Sequence, residues 1–110
     1  MLNIDGNNNI TLTRGDTLTL TVALTKDGET YTPEEGDVIR FALSKGYMGE
    51  PGYEFKLDKT IPNDTLTFTL SATETALDYR SYNYDIQVTH EDGCVDTFIS
   101  AKLTITGEVK

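Results

Sequence analysis

Short runs of alternating apolar and polar residues, each closed by a cluster of turn formers, recur along this chain, and a period of two commits them to strands. The clearest run is Leu18, Leu20, Val22 and Leu24, interleaved with Thr19, Thr21 and Ala23. A register slip of one residue would turn that whole apolar face to water, so its pairing is strongly specified. The same spacing recurs at Ile10 and Leu12, at Ile39, Phe41 and Leu43, at Tyr53, Phe55 and Leu57, and at Leu66, Phe68 and Leu70. Two longer runs complete the set: Tyr82, Tyr84, Ile86 and Val88, then Ile99, Ala101, Leu103 and Ile105. Threonine fills many of the outward positions, where its branched Cβ suits a pleated surface.

Turn chemistry separates these runs. Lys26-Asp27-Gly28-Glu29, Pro33-Glu34-Glu35-Gly36-Asp37 and Glu91-Asp92-Gly93 are breaks, with glycine supplying positive φ and aspartate bonding its own backbone. The longest break, Gly46-Tyr47-Met48-Gly49-Glu50-Pro51-Gly52, reads as an exposed loop. Only Ser71 to Asp78 lacks breakers in a way that allows a helical turn, with Ser71 as its cap. About seven strands with turns at this spacing predict an all-β fold, an immunoglobulin-like antiparallel β-sandwich with Greek-key connections. At 110 residues the chain has room for one core, so residues 1–110 are expected to form a single domain.

Cys94 is the sole cysteine, so the fold depends on packing without an internal disulfide. The formal charge of −9 disfavours nucleic acid, which is bound by Lys and Arg displacing phosphate counterions. It disfavours anionic membrane surfaces for the same reason. The start, Met1-Leu2-Asn3 running on to Asn7-Asn8-Asn9, has neither the basic segment nor the apolar stretch of a signal peptide.

The residues that can carry chemistry do not assemble into a catalytic set. His90, the only histidine, lies four residues from Cys94 across the Glu91-Asp92-Gly93 turn. A thiol and an imidazole at a hairpin tip have no walls to exclude water or bind substrate, so no enzyme is expected. Asp5, Asn7, Asn9 and Asp16 share the spacing of a calcium loop, but Ile10 stands where such a loop needs glycine and Asp16 where it needs glutamate. The carboxylates of the other loops, among them Asp27, Asp37, Asp92 and Asp96, would need to converge at one sandwich end to hold a cation. No phosphate-binding glycine loop is present, and no cofactor is expected.

Two features stand out. Tyr47, Met48 and Tyr53 place large apolar groups on or beside a Gly-Pro loop, where they would anchor a partner; the alternative is that they fold back over an open edge of the sandwich. Leu77 stands five residues before Tyr82, which enters a strand, and this is the layout of a tyrosine corner. There the Tyr82 hydroxyl would bond backbone upstream and pin the crossing between sheets, a folding device rather than a site.

Several short motifs carry a family resemblance: Ile10-Thr11-Leu12 before Arg14-Gly15-Asp16, the pair Gly36-Asp37, the run Tyr82-Asn83-Tyr84-Asp85-Ile86, and Asp92-Gly93 before Val95-Asp96-Thr97. From about Ile10 to Val109 the chain resembles the N-terminal domain of upper-baseplate proteins from phages of Gram-positive bacteria. Arg80 departs from that pattern, standing where the family typically has glycine. The resemblance implies a virion structural domain that docks other tail proteins, or copies of itself, without enzymatic activity. It places the chain in the phage tail, or in the bacterial cytoplasm when expressed from a prophage, either as a stand-alone relative or as the start of a longer protein. A second expectation, from a different class, is a bacterial surface or carbohydrate-binding module that stacks sugars on Tyr47 and Tyr53.

Overall fold

In the computed structural model, which describes residues 2–107, the alternating runs become strands and the breaks become turns. The strands are β1 (Leu2–Ile4), β2 (Ile10–Thr13), β3 (Leu18–Thr21), β4 (Thr25–Lys26), β5 (Glu29–Thr30), β6 (Val38–Lys45), β7 (Glu54–Ile61), β8 (Thr67–Leu70), β9 (Ser81–Thr89) and β10 (Val95–Thr106). Seven of them coincide with the expected runs; β1, β4 and β5 are short additions. The expectations that reach Met1 and residues 108–110, including the last part of the family resemblance, fall outside the described residues.

The result is an all-β sandwich. One layer is a six-stranded sheet of order β1-β2-β10-β9-β6-β7, and the other is the β3-β8 pair. Pairing is antiparallel except where β2 runs parallel to β10, with Ile10 opposite Leu103 and Thr13 opposite Thr106. The two layers meet over side chains from the inward positions of both. Phe41 on β6 sits 4.9 Å, ring to ring, from Phe68 on β8 and 5.3 Å from Tyr84 on β9, so one side chain ties the layers together. Leu12, Leu18, Ile39, Val88 and Leu103 complete a core almost fully removed from water, and each such side chain contributes about 1.5–3 kcal/mol. On the outer side of the small layer, paired threonines bridge β3 to β8: Thr19 to Thr69 at 3.0 Å and Thr21 to Thr67 at 2.8 Å. Their prevalence at outward positions thus has a second cause in cross-strand hydroxyl pairing.

Three local expectations are revised. The Leu18 to Leu24 run keeps Leu18, Val22 and Leu24 buried, but the strand stops at Thr21: the Val22 amide still bonds the Leu66 carbonyl at 2.8 Å, while Leu66, at positive φ, turns its own amide to the Pro62 carbonyl at 2.9 Å and gives no return bond. The segment from Ser71 is a single turn and no helix. Ser71 and Glu74 cap each other reciprocally, with the Ser71 amide donating to Glu74 Oε1 at 2.9 Å and the Glu74 amide to Ser71 Oγ at 3.2 Å. Leu77, packed against the core, ends it.

The third revision concerns β7. Leu43 pairs with Leu57, yet Ser44 pairs with Phe55, so β7 carries one extra residue and its alternation reverses at Lys56. A bulge of this kind sends the two parts of a strand to opposite faces. Leu57 therefore faces the core, while Phe55 stands 52% exposed on the outer side.

Where the chain crosses from β8 to β9, between the layers, the Tyr82 hydroxyl donates to the Asp78 carbonyl at 2.9 Å, and Leu77 packs on the core. The buried phenol thereby finds the partner it requires.

Candidate docking groove

The outward positions of the large sheet's middle strands form a shallow floor. On β9 these are Asn83, Asp85 and Gln87; on β6, Arg40, Ala42 and Ser44. Asp85 lies in register with Ala42 on one side and Ser100 of β10 on the other. Small neighbours on both flanks leave a well above the carboxylate. The floor belongs to a groove of about 520 Å³ whose walls include Tyr47, Met48, Tyr53 and the bulge-displaced Phe55. All three loop residues singled out from the sequence thus line one groove. Tyr47 is 54% and Met48 83% exposed, so both present apolar surface to solvent at the rim of the groove.

The wall has a defined backbone. Glycines 46, 49 and 52 all take positive φ, which lets the chain make two successive turns: the Glu50 amide bonds the Tyr47 carbonyl at 3.0 Å and the Tyr53 amide bonds the Glu50 carbonyl at 3.2 Å. The Glu50 carboxylate accepts from the Tyr47 amide at 2.6 Å, and Ser44 Oγ donates to the Gly46 carbonyl at 2.7 Å.

The cations around the floor are already engaged. Arg40 Nε lies 3.4 Å from Asp58 Oδ2, and Lys102 Nζ donates to Asn83 Oδ1 at 3.0 Å. The Asp85 carboxylate, by contrast, has no hydrogen bond or ion pair with any described side chain, and burial alone pushes its pKa above the ordinary aspartate value.

A second polar cluster closes the end of the sandwich where β9 gives way to β10. The His90 side chain, two residues beyond Val88 on the same face, has Nδ1 2.9 Å from Asp37 Oδ1 and Nε2 2.9 Å from Asp96 Oδ2. Tyr31 donates to Asp37 Oδ2 at 2.5 Å, the Glu34 amide to the same oxygen at 2.9 Å, and Lys26 Nζ lies 3.3 Å from Asp96. The bonds from Asp96 and then Asp37 raise the His90 pKa. Tyr31, and more weakly Glu34 and His90, hold Asp37 below the usual carboxylate range. His90 and Lys26 do the same for Asp96. The Tyr31 phenol, donating to Asp37 and partly buried, is pushed up to about 12. Of the carboxylates considered from the sequence, Asp37 and Asp96 meet at this end, and the cations they meet are the protein's own His90 and Lys26.

This arrangement also separates the two residues of the hairpin tip. With both ring nitrogens held by carboxylates, His90 offers no base to Cys94. The Cys94 thiol is exposed, and the Asp92 carboxylate, which accepts from the Cys94 amide at 2.9 Å, pushes its pKa up, away from the reactive thiolate. At the N-terminal turn, Asp5 Oδ1 accepts from the Asn7 and Asn9 amides at 2.9 Å each, and Asn9 Nδ2 bonds Asp5 Oδ2 at 3.1 Å. Asp5, Asn7 and Asn9 thus build a backbone turn, Ile10 goes directly into β2, and Asp16 lies beyond that strand in a separate turn. Among the described residues no group of three or more His, Cys, Asp or Glu side chains is placed to hold a metal ion. Among the same residues no helix is long and apolar enough to cross a membrane.

The chain matches no protein-family model, and no curated protein matches it.

Sequence reasoning identified the groove's wall but missed its floor. Phe55 was hidden by the bulge. Asp85 sits at an outward strand position, where a carboxylate looks like any solvated residue; its small neighbours Ala42 and Ser100 come from distant runs and meet it only through pairing.

Proposed function

We propose that this chain is a non-enzymatic interaction module of a phage or prophage tail, a baseplate-type adaptor that docks other tail proteins through the outer face of its large sheet. The observation that carries the reading is the clustering of exposed Tyr47, Met48 and Phe55 around one groove. Solvent-facing aromatic and thioether groups gathered at a concavity are the composition of a protein-contact centre. The finer description of the sandwich as immunoglobulin-like belongs to the same reading. It is supported by the parallel β2–β10 pairing at one end of the large sheet and by the tyrosine corner between layers. The family resemblance supplies the tail context and, with it, a location in the virion or in the cytoplasm of a cell expressing a prophage.

A direct test compares tail particles carrying the native chain with particles carrying Met48→Asp. The native chain copurifies with the particles; the variant, still folded by circular dichroism, is lost from them. Particles that retain the variant at native stoichiometry contradict the assignment of the contact to this groove, and particles without the native chain contradict the tail role.

A second reading rests on the same groove. Tyr47 and Tyr53 together with the Asn83 and Gln87 amides give the stacking surface and hydrogen-bonding groups of a sugar site. Titration with a panel of cell-wall oligosaccharides decides it, since stacking would change tyrosine fluorescence and a protein-docking groove would leave it unmoved.

A further inference from the structure

Resting on the docking reading, we propose that the groove is built to receive an arginine side chain presented by a partner protein, with Asp85 as the counter-ion and the loop tyrosines as the stacking wall. Three observations converge on a cation. The Asp85 carboxylate stands in a well between Ala42 and Ser100 with no partner among the described residues. The nearby cations are directed elsewhere, Arg40 toward the Asp58 carboxylate and Lys102 toward the Asn83 amide oxygen. The wall beside it carries Tyr47 and Tyr53, whose ring faces attract a cation.

Guanidinium suits this geometry better than ammonium, because a planar group can stack on a tyrosine and offer two parallel N–H donors to one carboxylate. Burial makes the uncompensated charge costly in the free protein, as the upward shift of Asp85 reflects. An incoming cation removes that cost. Charge also selects against a second copy as the occupant. Each chain carries −9, so two acidic surfaces repel, whereas a basic segment is attracted at long range.

The experiment is an amide-resolved NMR titration of the full chain with the peptide acetyl-Gly-Arg-Gly-amide and, separately, with the same peptide carrying citrulline, which keeps the shape and removes the charge. The arginine peptide is expected to shift the amides of Ala42, Asp85 and Ser100 saturably, and citrulline to bind roughly tenfold to a hundredfold more weakly. Asp85→Asn is expected to erase the difference between the two peptides. Because that substitution removes a desolvated charge, the variant keeps the native spectrum. Asp27→Asn, at the far hairpin, leaves the preference intact. Equal binding of both peptides, shifts spread over the whole acidic surface, an absence of shifts, or a preference retained in Asp85→Asn each overturns the proposal. If Met48→Asp is still lost from particles in that event, the docking surface stands and only the chemistry of its occupant is wrong.

Discussion

His90 can satisfy Asp37 and Asp96 together only as an imidazolium, since the neutral ring has one donor and both partners are acceptors. The pH dependence of this contact follows from the signs of the shifts. The His90 pKa is raised from 6.5, so its contribution to stability is complete below that value and is lost as pH rises through the folded-state pKa. Asp37 and Asp96 are lowered from 3.8, so theirs is complete above that value and is lost as pH falls through their folded-state pKa values. Both contributions coexist between about 3.8 and 6.5. Urea unfolding followed across pH should therefore show the native chain more stable at pH 6 than at pH 8, and His90→Gln should flatten that difference. A native profile that rises from pH 6 to pH 8 would mean the imidazolium is not held. None of this was legible in the sequence beyond the parity of His90 with Val88, because its partners lie 53 and 6 residues away and meet it only through strand pairing.

At the level of strands, the alternation read correctly wherever a run met its partner without interruption. Ile39, Phe41 and Leu43 on β6, and Tyr82, Tyr84, Ile86 and Val88 on β9, all face the core as their spacing requires. It misread β7, where Tyr53, Phe55 and Leu57 look like one apolar face. A bulge leaves no mark in a polar–apolar pattern when apolar residues fall on both of its sides, so the reversal at Lys56 appears only once Ser44 is seen opposite Phe55. Two phenylalanines therefore separate the alternatives. Phe41→Ala empties the junction between layers and should cost about 3–5 kcal/mol. Phe55→Ser changes an exposed side chain and should stay within about 0.5 kcal/mol of the native stability. Denaturant midpoints for the two variants measure this, and a large loss in Phe55→Ser would place that ring back in the core.

Considered whole, the molecule divides its polar groups between two duties. At the β9–β10 end, charge is paired internally and closes the sandwich. On the outer face of the large sheet, a lone carboxylate and exposed aromatic groups are left open around a groove. The loop half of that groove was readable from glycine, proline and aromatic residues in sequence, because loop chemistry is local. Its strand half is long-range, assembled from β6, β9 and β10, and no single run announces it. With this face and no other as the contact surface, a partner lies closest to the groove. Photoreactive residues placed one at a time at Met48, Phe55, Ile4, Tyr79 and Val95, all exposed apolar positions, would report it in the producing cells. A discrete protein adduct is expected from positions 48 and 55 and none from the other three; adducts from Ile4, Tyr79 or Val95 with nothing at the groove would place the contact surface elsewhere.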